Sequence, residues 1–249
     1  MFDSCFHITD NSKIKLAEYS QYLKRYKITK AFIYYDNQKS LSDLKIFIDN
    51  CNNFKNLIPV AYITSKKNPL REINHITKCN YEFIKIHPRW LGVRMSNSKF
   101  YIKLFKLLSK TKLTILWCSF DSWEKEANES NQINLLSKLF NISKKNKKII
   151  MHGGGPYLLK YYEKFRFIKN TYLDLSYTIE YYLDTSLKKD IIFLFQKFDE
   201  KILVGSDFPS FSLNKFKKSV NTILKQSKIN NKKKNNILIK NINNILNDN

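Results

Sequence analysis

Short apolar runs alternate with longer amphipathic stretches along nearly the whole chain. The apolar runs fall at residues 1–8, 30–35, 57–64, 81–86, 112–119, 148–151, 171–176 and 201–204. Short runs of Ile, Leu, Val, Phe and Tyr read as buried strands. Residues 11–26 carry Ile14, Leu16, Tyr19, Leu23 and Tyr26 at helical spacing, and 40–51 carry Leu41, Leu44, Ile48 and Cys51. Further helices are predicted over 68–78, 97–109, 132–145, 157–167, 179–198 (as one or two), 213–225 and 231–246. Eight strands, each followed by helix, predict parallel βα units. At 249 residues, the expected architecture is a single-domain α/β fold, a (β/α)8 TIM-type barrel over 1–249 with a helical C-terminal segment. No linker or internal repeat divides it.

Composition changes this picture little. Hydrophobic residues make up 43% and aromatics 14%, which suits a globular chain. The formal net charge of +23 would ordinarily suggest a polyanionic partner. Only Arg25, Arg71, Arg89, Arg94 and Arg166 among the 44 basic residues are arginines, whereas phosphate and base readers lean on the planar guanidinium. The abundance of Lys, Asn and Ile matches an AT-rich coding bias, so the charge reads as solvated surface and nucleic acid is not an expected partner. Cys5, Cys51, Cys79 and Cys118 show no zinc-finger spacing. Asp3 interrupts the first apolar run, unlike a secretory leader, and no run reaches the roughly 18 apolar residues of a membrane span. A cytoplasmic protein with reduced thiols is expected.

Candidate chemistry gathers where the predicted strands end. Four of the five glycines lie in two motifs, His152-Gly153-Gly154-Gly155-Pro156 and Gly205-Ser206-Asp207-Phe208-Pro209. Each directly follows a strand, and barrels of this type place function at the C-terminal ends of their strands. The first strand ends in Cys5 and His7, two residues apart and so on one face. The fourth ends in Lys85, His87 and Arg89, the fifth in Trp117 and Cys118, the sixth at His152, the seventh at Asp174 and the eighth at Asp207. Taken singly, each has a structural reading. A strand Cys is a small hydrophobe, Asp174 and Asp207 could cap turns, Arg89 and Arg94 could form surface ion pairs, and Trp90 and Trp117 could be core. Their joint placement favours a site, and a Cys, His and carboxylate mixture suits zinc.

With these motifs laid out, the chain resembles the amidohydrolase superfamily, in particular the amidohydrolase-related (amidohydrolase 2) group of metal-dependent hydrolases and decarboxylases. The resemblance rests on Lys85-Ile86-His87-Pro88, His152-Gly153-Gly154, Asn170-Thr171-Tyr172-Leu173-Asp174-Leu175-Ser176 and Gly205-Ser206-Asp207-Phe208-Pro209, in order and at the family's spacing. It implies a divalent metal, with zinc the expected ion, held by Cys5, His7, Cys118, His152 and Asp207. It implies Asp207 as general base and His152 at the developing oxyanion. A small carboxylated or sugar-like metabolite is the expected substrate, met by Lys85, His87, Arg89, Trp117 and Asp174, and a homodimer is compatible with the family. Cys5 and Cys118 stand where the family has His. Three readings stay open: thiolate ligation, a metal-free site filled by small thiols, or a Cys5–Cys118 disulfide, which a reducing compartment disfavours. Nonoxidative decarboxylation or lyase chemistry, and a catalytically impaired small-molecule-binding barrel, are the alternatives to hydrolysis.

Overall fold

The structure is a computed structural model that describes residues 1–79, 81–119 and 129–247. Strands β1 (Phe2–Ile8), β2 (Lys30–Tyr35), β3 (Leu57–Tyr62), β4 (Phe83–Ile86), β5 (Thr114–Cys118), β6 (Lys148–Met151), β7 (Thr171–Asp174) and β8 (Ile202–Leu203) lie side by side in sequence order. Every adjacent pair is parallel. The sheet curls until β1 meets the chain leaving β8. There Ser4 N–H donates to Val204 O at 3.1 Å and His7 N–H to Phe208 O at 2.8 Å. The result is the expected (β/α)8 barrel, nearly closed.

The helices are α1 (Lys13–Arg25), α2 (Leu41–Cys51), α3 (Pro69–Lys78), α4 (Pro88–Leu91), α5 (Ser98–Leu108), α6 (Glu129–Ile142), α7 (Leu158–Phe165), α8 (Thr178–Tyr182), α9 (Lys188–Lys197), α10 (Leu213–Gln226), α11 (Asn231–Asn235) and α12 (Asn241–Asn247). Side-chain caps start several of them: Ser12 for α1, a Ser40–Asp43 capping box for α2 and Ser212 for α10. The 179–198 stretch is two helices, and a wider helical turn over 236–240 joins α11 to α12. The one unanticipated helix, α4, is a single turn capped by His87 with Pro88 at its first position. None of these helices is long and apolar enough to cross a membrane.

Strand alternation sorts the core into two clusters. Outward residues such as Ile33, Ile84, Ile115 and Ile150 pack under the helices. Inward residues such as Phe32, Val60, Phe83, Leu116 and Ile149 fill the barrel, and Ile242 and Ile245 of α12 join them. That helix therefore closes the end of the barrel where the strands start. Asn241 Nδ2–H anchors it, donating to Asp199 O at 2.7 Å and Ile202 O at 2.8 Å. Among the described residues, the opposite end of the barrel, where the strands finish, holds a pocket.

The seam between β1 and the chain after β8 is tight. Asp3 Oδ1 accepts from Ser206 N–H at 2.8 Å and Cys5 N–H at 3.1 Å, and Oδ2 accepts from Ser206 Oγ–H at 2.6 Å. A methyl group on Gly205 would sit 2.6 Å from Ser4 Oγ and 2.7 Å from the Cys5 backbone nitrogen. Replacing Gly205 with Ala is expected to cost about 1–3 kcal/mol through this overpacking. Thermal unfolding followed by circular dichroism checks it, and an unchanged midpoint would contradict so close a seam.

Candidate active site

A cavity of about 350 Å³ opens at the C-terminal ends of the strands, within the range of small-ligand sites. His7, Lys85, His87, Cys118, His152 and Asp207 all line it. Alternation explains most of this set. Cys5 and His7 share the inner face of β1, Phe83 and Lys85 that of β4, and Leu116 and Cys118 that of β5. His152 does not follow from alternation, because Met151 already faces inward. It reaches the pocket because its backbone adopts φ +61°, while Asp207 has φ +55° and Tyr177 φ +63°. Among the described residues, half of the six non-glycine positions with positive φ thus line this cavity. Such conformations cost about 1–3 kcal/mol each and cluster at functional sites.

Two groups of side chains stand at this end of the barrel, and Cys5 of the first is fully buried and not part of the lining. In the first, ligand atoms of Cys5, His7 and Asp207 lie within 4.8 Å of one another. Cys5 Sγ–H donates to Asp207 Oδ1 at 3.2 Å, and His7 Nε2 is 3.9 Å from the same oxygen. His7 Nδ1 bonds Asp36 Oδ1 at 2.6 Å, with Tyr62 OH donating to that oxygen at 3.3 Å. A carboxylate on Nδ1 leaves the Nε2 lone pair facing the pocket, as in metal-ligating histidines. Thiol, imidazole and carboxylate with space beyond them form a donor set that fits a divalent ion with an open position. Buried Lys85 stands beside it, Nζ 3.3 Å from His7 Nε2 and 4.1 Å from the centre of the Tyr34 ring.

Cys118 and His152 do not join that group. Cys118 instead shares the cavity lining with His87 and His152, which draw its thiol pKa down. His152 Nδ1–H is directed at Ser176 O, 3.1 Å away. His87 Nδ1 accepts from Trp90 N–H at 3.4 Å, and the two rings stack at 4.6 Å. All four cysteines are free, Cys5 and Cys118 included.

Charge separates the two cysteines. Burial pushes the Cys5 thiol well above its ordinary pKa, and the Asp207 charge adds to this. Burial also pushes Cys118 up, but His87 and the hydrogen bonds from His152 and His87 overcome it and hold the thiol well below its ordinary value. His152 is the complement. Burial lowers it, yet the hydrogen bond and charge of Cys118 bring it to about 9. Burial likewise raises Asp207, but His152, His7 and Lys85 outweigh this and keep the carboxylate ionised below the usual range. The two walls therefore titrate in opposite senses, with Cys118 drawn down and His152 pushed up on one, and Cys5 pushed up and Asp207 drawn down on the other.

Two residues expected to meet substrate lie elsewhere. Trp117 is one position from Cys118 and so on the opposite face of β5, where it packs against Tyr101 and Phe105 beneath the helices. Trp90 of α4 lines the pocket instead. Asp174 is fully buried and saturated, accepting from the hydroxyls of Ser4 and Ser176, from Ser176 N–H at 3.2 Å and from His152 N–H at 3.3 Å. It is a structural hub. Lys85, His87 and Arg89 do line the cavity. Residue reading missed Asp36, although it follows β2 as directly as the other candidates follow their strands. It also missed Glu180 of α8, whose buried carboxyl oxygens have no hydrogen-bond partner among the described residues and which burial holds well above the usual carboxylate range.

No protein-family model matches the chain, and no curated protein matches its sequence. Its fold is similar to an uncharacterised TIM-barrel protein from Bordetella bronchiseptica, with a TM-score of 0.77, 12% identity and 99% of each chain covered. It is similar to a probable 2-pyrone-4,6-dicarboxylic acid hydrolase from Acinetobacter baumannii with citric acid bound, with a TM-score of 0.70, 14% identity and coverage of 99% of this chain and 98% of that one. It is also similar to an amidohydrolase II structure, with a TM-score of 0.62, 12% identity and 99% of each chain covered. The sequence resemblance thus has a counterpart in three dimensions, since amidohydrolase 2 proteins are among the structures that share this barrel.

The paired titration is directly checkable. Imidazole NMR resonances of His152 are expected to titrate near pH 9, set by Cys118. In Cys118→Ala only the burial penalty remains strong, so the midpoint should fall below the ordinary histidine value near 6.5. An unmoved midpoint would show that the sulfur does not hold the proton on His152.

Proposed function

We propose that this chain is a hydrolase of the amidohydrolase 2 kind, acting on a small carboxylated or sugar-like metabolite in the pocket above the barrel. The observation that carries the reading is the Cys5, His7 and Asp207 donor set facing a rim of Lys85, His87 and Arg89. The similar barrel with citric acid bound, described as a probable dicarboxylic acid hydrolase, supports a substrate bearing carboxylates. Cys5, His7 and Asp207 would hold a divalent metal, zinc by donor chemistry. When bound, such an ion supplies Lewis acidity and makes a coordinated water more acidic.

The chain's own groups divide the remaining work. Asp36 fixes the His7 ring so that Nε2 faces the pocket. The Cys5 thiol carries a proton that ligation would release. Asp207, kept ionised by the surrounding positive charge, takes the proton of the attacking water. Lys85 is buried with ammonium donors to spare beyond its bond to His7, and it receives a substrate carboxylate together with the Arg89 guanidinium. His152, protonated through Cys118, donates to the oxygen on which charge develops.

Metal analysis of untagged protein by plasma mass spectrometry should find close to one divalent ion per chain, lost in His7→Ala and in Cys5→Ala. On a panel of lactones and amides of di- and tricarboxylic acids, Asp207→Asn should lower kcat by about 10²–10⁴-fold with little change in KM. Absence of metal from folded wild-type protein would sink the metal assignment, and an unimpaired Asp207→Asn would sink the role of that carboxylate.

A further inference from the structure

Of the three non-glycine residues that line the pocket with positive φ, His152 and Asp207 already have a role and Tyr177 has none. Tyr177 stands between Ser176 and Thr178 at φ +63° and ψ −50°. Thr178 N–H donates to Ser176 O across it at 2.6 Å. Tyr177 is thus the central residue of a γ-turn of positive φ, the rare and strained form, and a bulky side chain there is an outlier. The turn has a clear purpose. It leaves Ser176 O 3.1 Å from His152 Nδ1 and lets Thr178 Oγ–H donate to His152 O at 2.6 Å. Ser176 and Thr178 are buried, whereas Tyr177 is half-buried between them and lines the cavity. Glycine would form the same turn without strain. The turn alone therefore does not account for a tyrosine, and the side chain needs a reason of its own. Its ring is held on several sides. It stacks on Tyr181 at 5.0 Å, leans against Phe211 at 5.3 Å and meets His152 edge-on at 6.4 Å. Trp90, after β4 and three strands round the barrel, lines the same cavity and stacks on His87 at 4.6 Å. Among the described residues of the lining, none is Ala, Val, Leu, Ile or Met, so the uncharged surface offered to a ligand is mostly the rings of Trp90, Tyr177 and Phe208. Rings favour other flat π-systems through offset and edge contacts that a saturated body cannot make.

We propose that Tyr177 is a specificity-determining residue of this pocket, kept in a strained turn so that its ring selects carboxylates with a flat, unsaturated carbon body over saturated ones of the same charge. The proposal rests on the reading of the pocket as a small-carboxylate site and narrows its ligand class. Lys85 and Arg89 supply charge that any carboxylate satisfies. Tyr177 supplies the discrimination between carbon bodies.

The test is isothermal titration calorimetry of the full chain with two probes, benzene-1,3-dicarboxylate and cis-cyclohexane-1,3-dicarboxylate. They carry the same two carboxylates on a flat and a puckered ring. Wild-type protein is expected to bind the flat acid about fivefold more tightly. Tyr177→Phe should keep this preference. Tyr177→Gly should reduce it below about twofold, chiefly by weakening the flat acid. The same variant should melt no lower than wild type, because relief of the turn offsets the lost ring contacts. A preference that survives Tyr177→Gly overturns the proposal. So does a Tyr177→Gly melting point several degrees lower, which would show that packing on Tyr181 and Phe211 is what the strain maintains. Equal binding of the two acids by wild-type protein overturns it without any variant and leaves the carboxylate-site reading standing. Binding of neither acid removes that reading and the proposal together.

Discussion

One buried carboxylate holds the ends of three strands together. Asp174 accepts from Ser4 on β1, from the His152 backbone after β6 and from Ser176 after β7. A carboxylate with this many donors is costly to bury and costly to disturb, because losing any partner strands charge or hydrogen-bonding capacity in the interior. Its neighbour Asp3 does the same for the 205–207 turn through Ser206. Together they fix where β1, His152 and Asp207 stand relative to one another. The left-handed backbone of His152 and Asp207 is tolerable because these bonds over-determine it. Both walls of the pocket are therefore set by groups that lie outside its lining.

Within that frame, electrostatics sorts the titratable residues. Lys85 is buried with a single hydrogen-bonded partner among the described residues. Its charge, with that of His152, keeps Asp207 anionic despite burial. Asp36 meets His7 from the solvent side and determines which ring nitrogen faces inward. The pocket thus alternates positive and negative groups over a short span, an arrangement that favours a small, multiply charged ligand over a long apolar one. The exposed lysines that dominate the net charge lie outside this balance.

Legibility followed the physics of each feature. Strand and helix order was readable because alternation and helical spacing are local. The pocket's location was readable because strand ends in such barrels converge. Alternation was also enough to separate Trp117 from Cys118, since neighbours on a strand face opposite ways. The two-residue length of β8 was not readable, because it depends on how the seam packs. His152 is the instructive case. Its motif was visible, but its direction depends on a φ of +61° that the surrounding hydrogen bonds impose. Pairwise distances within the site have no sequence signal, so five candidate ligands could not be resolved into a group of three and a separate pair.

The two cysteines show why residue type alone does not assign chemistry. Both stand where the resembling family has histidine, and a coordinated exchange of imidazole for thiolate ligands was one way to read them. Their surroundings differ in sign. Cys5 faces Asp207, so its proton is retained and shared with a carboxylate oxygen. Cys118 lines the cavity with His87 and His152, which draw its pKa down. The same residue type at two strand ends therefore meets a carboxylate on one wall and imidazoles on the other.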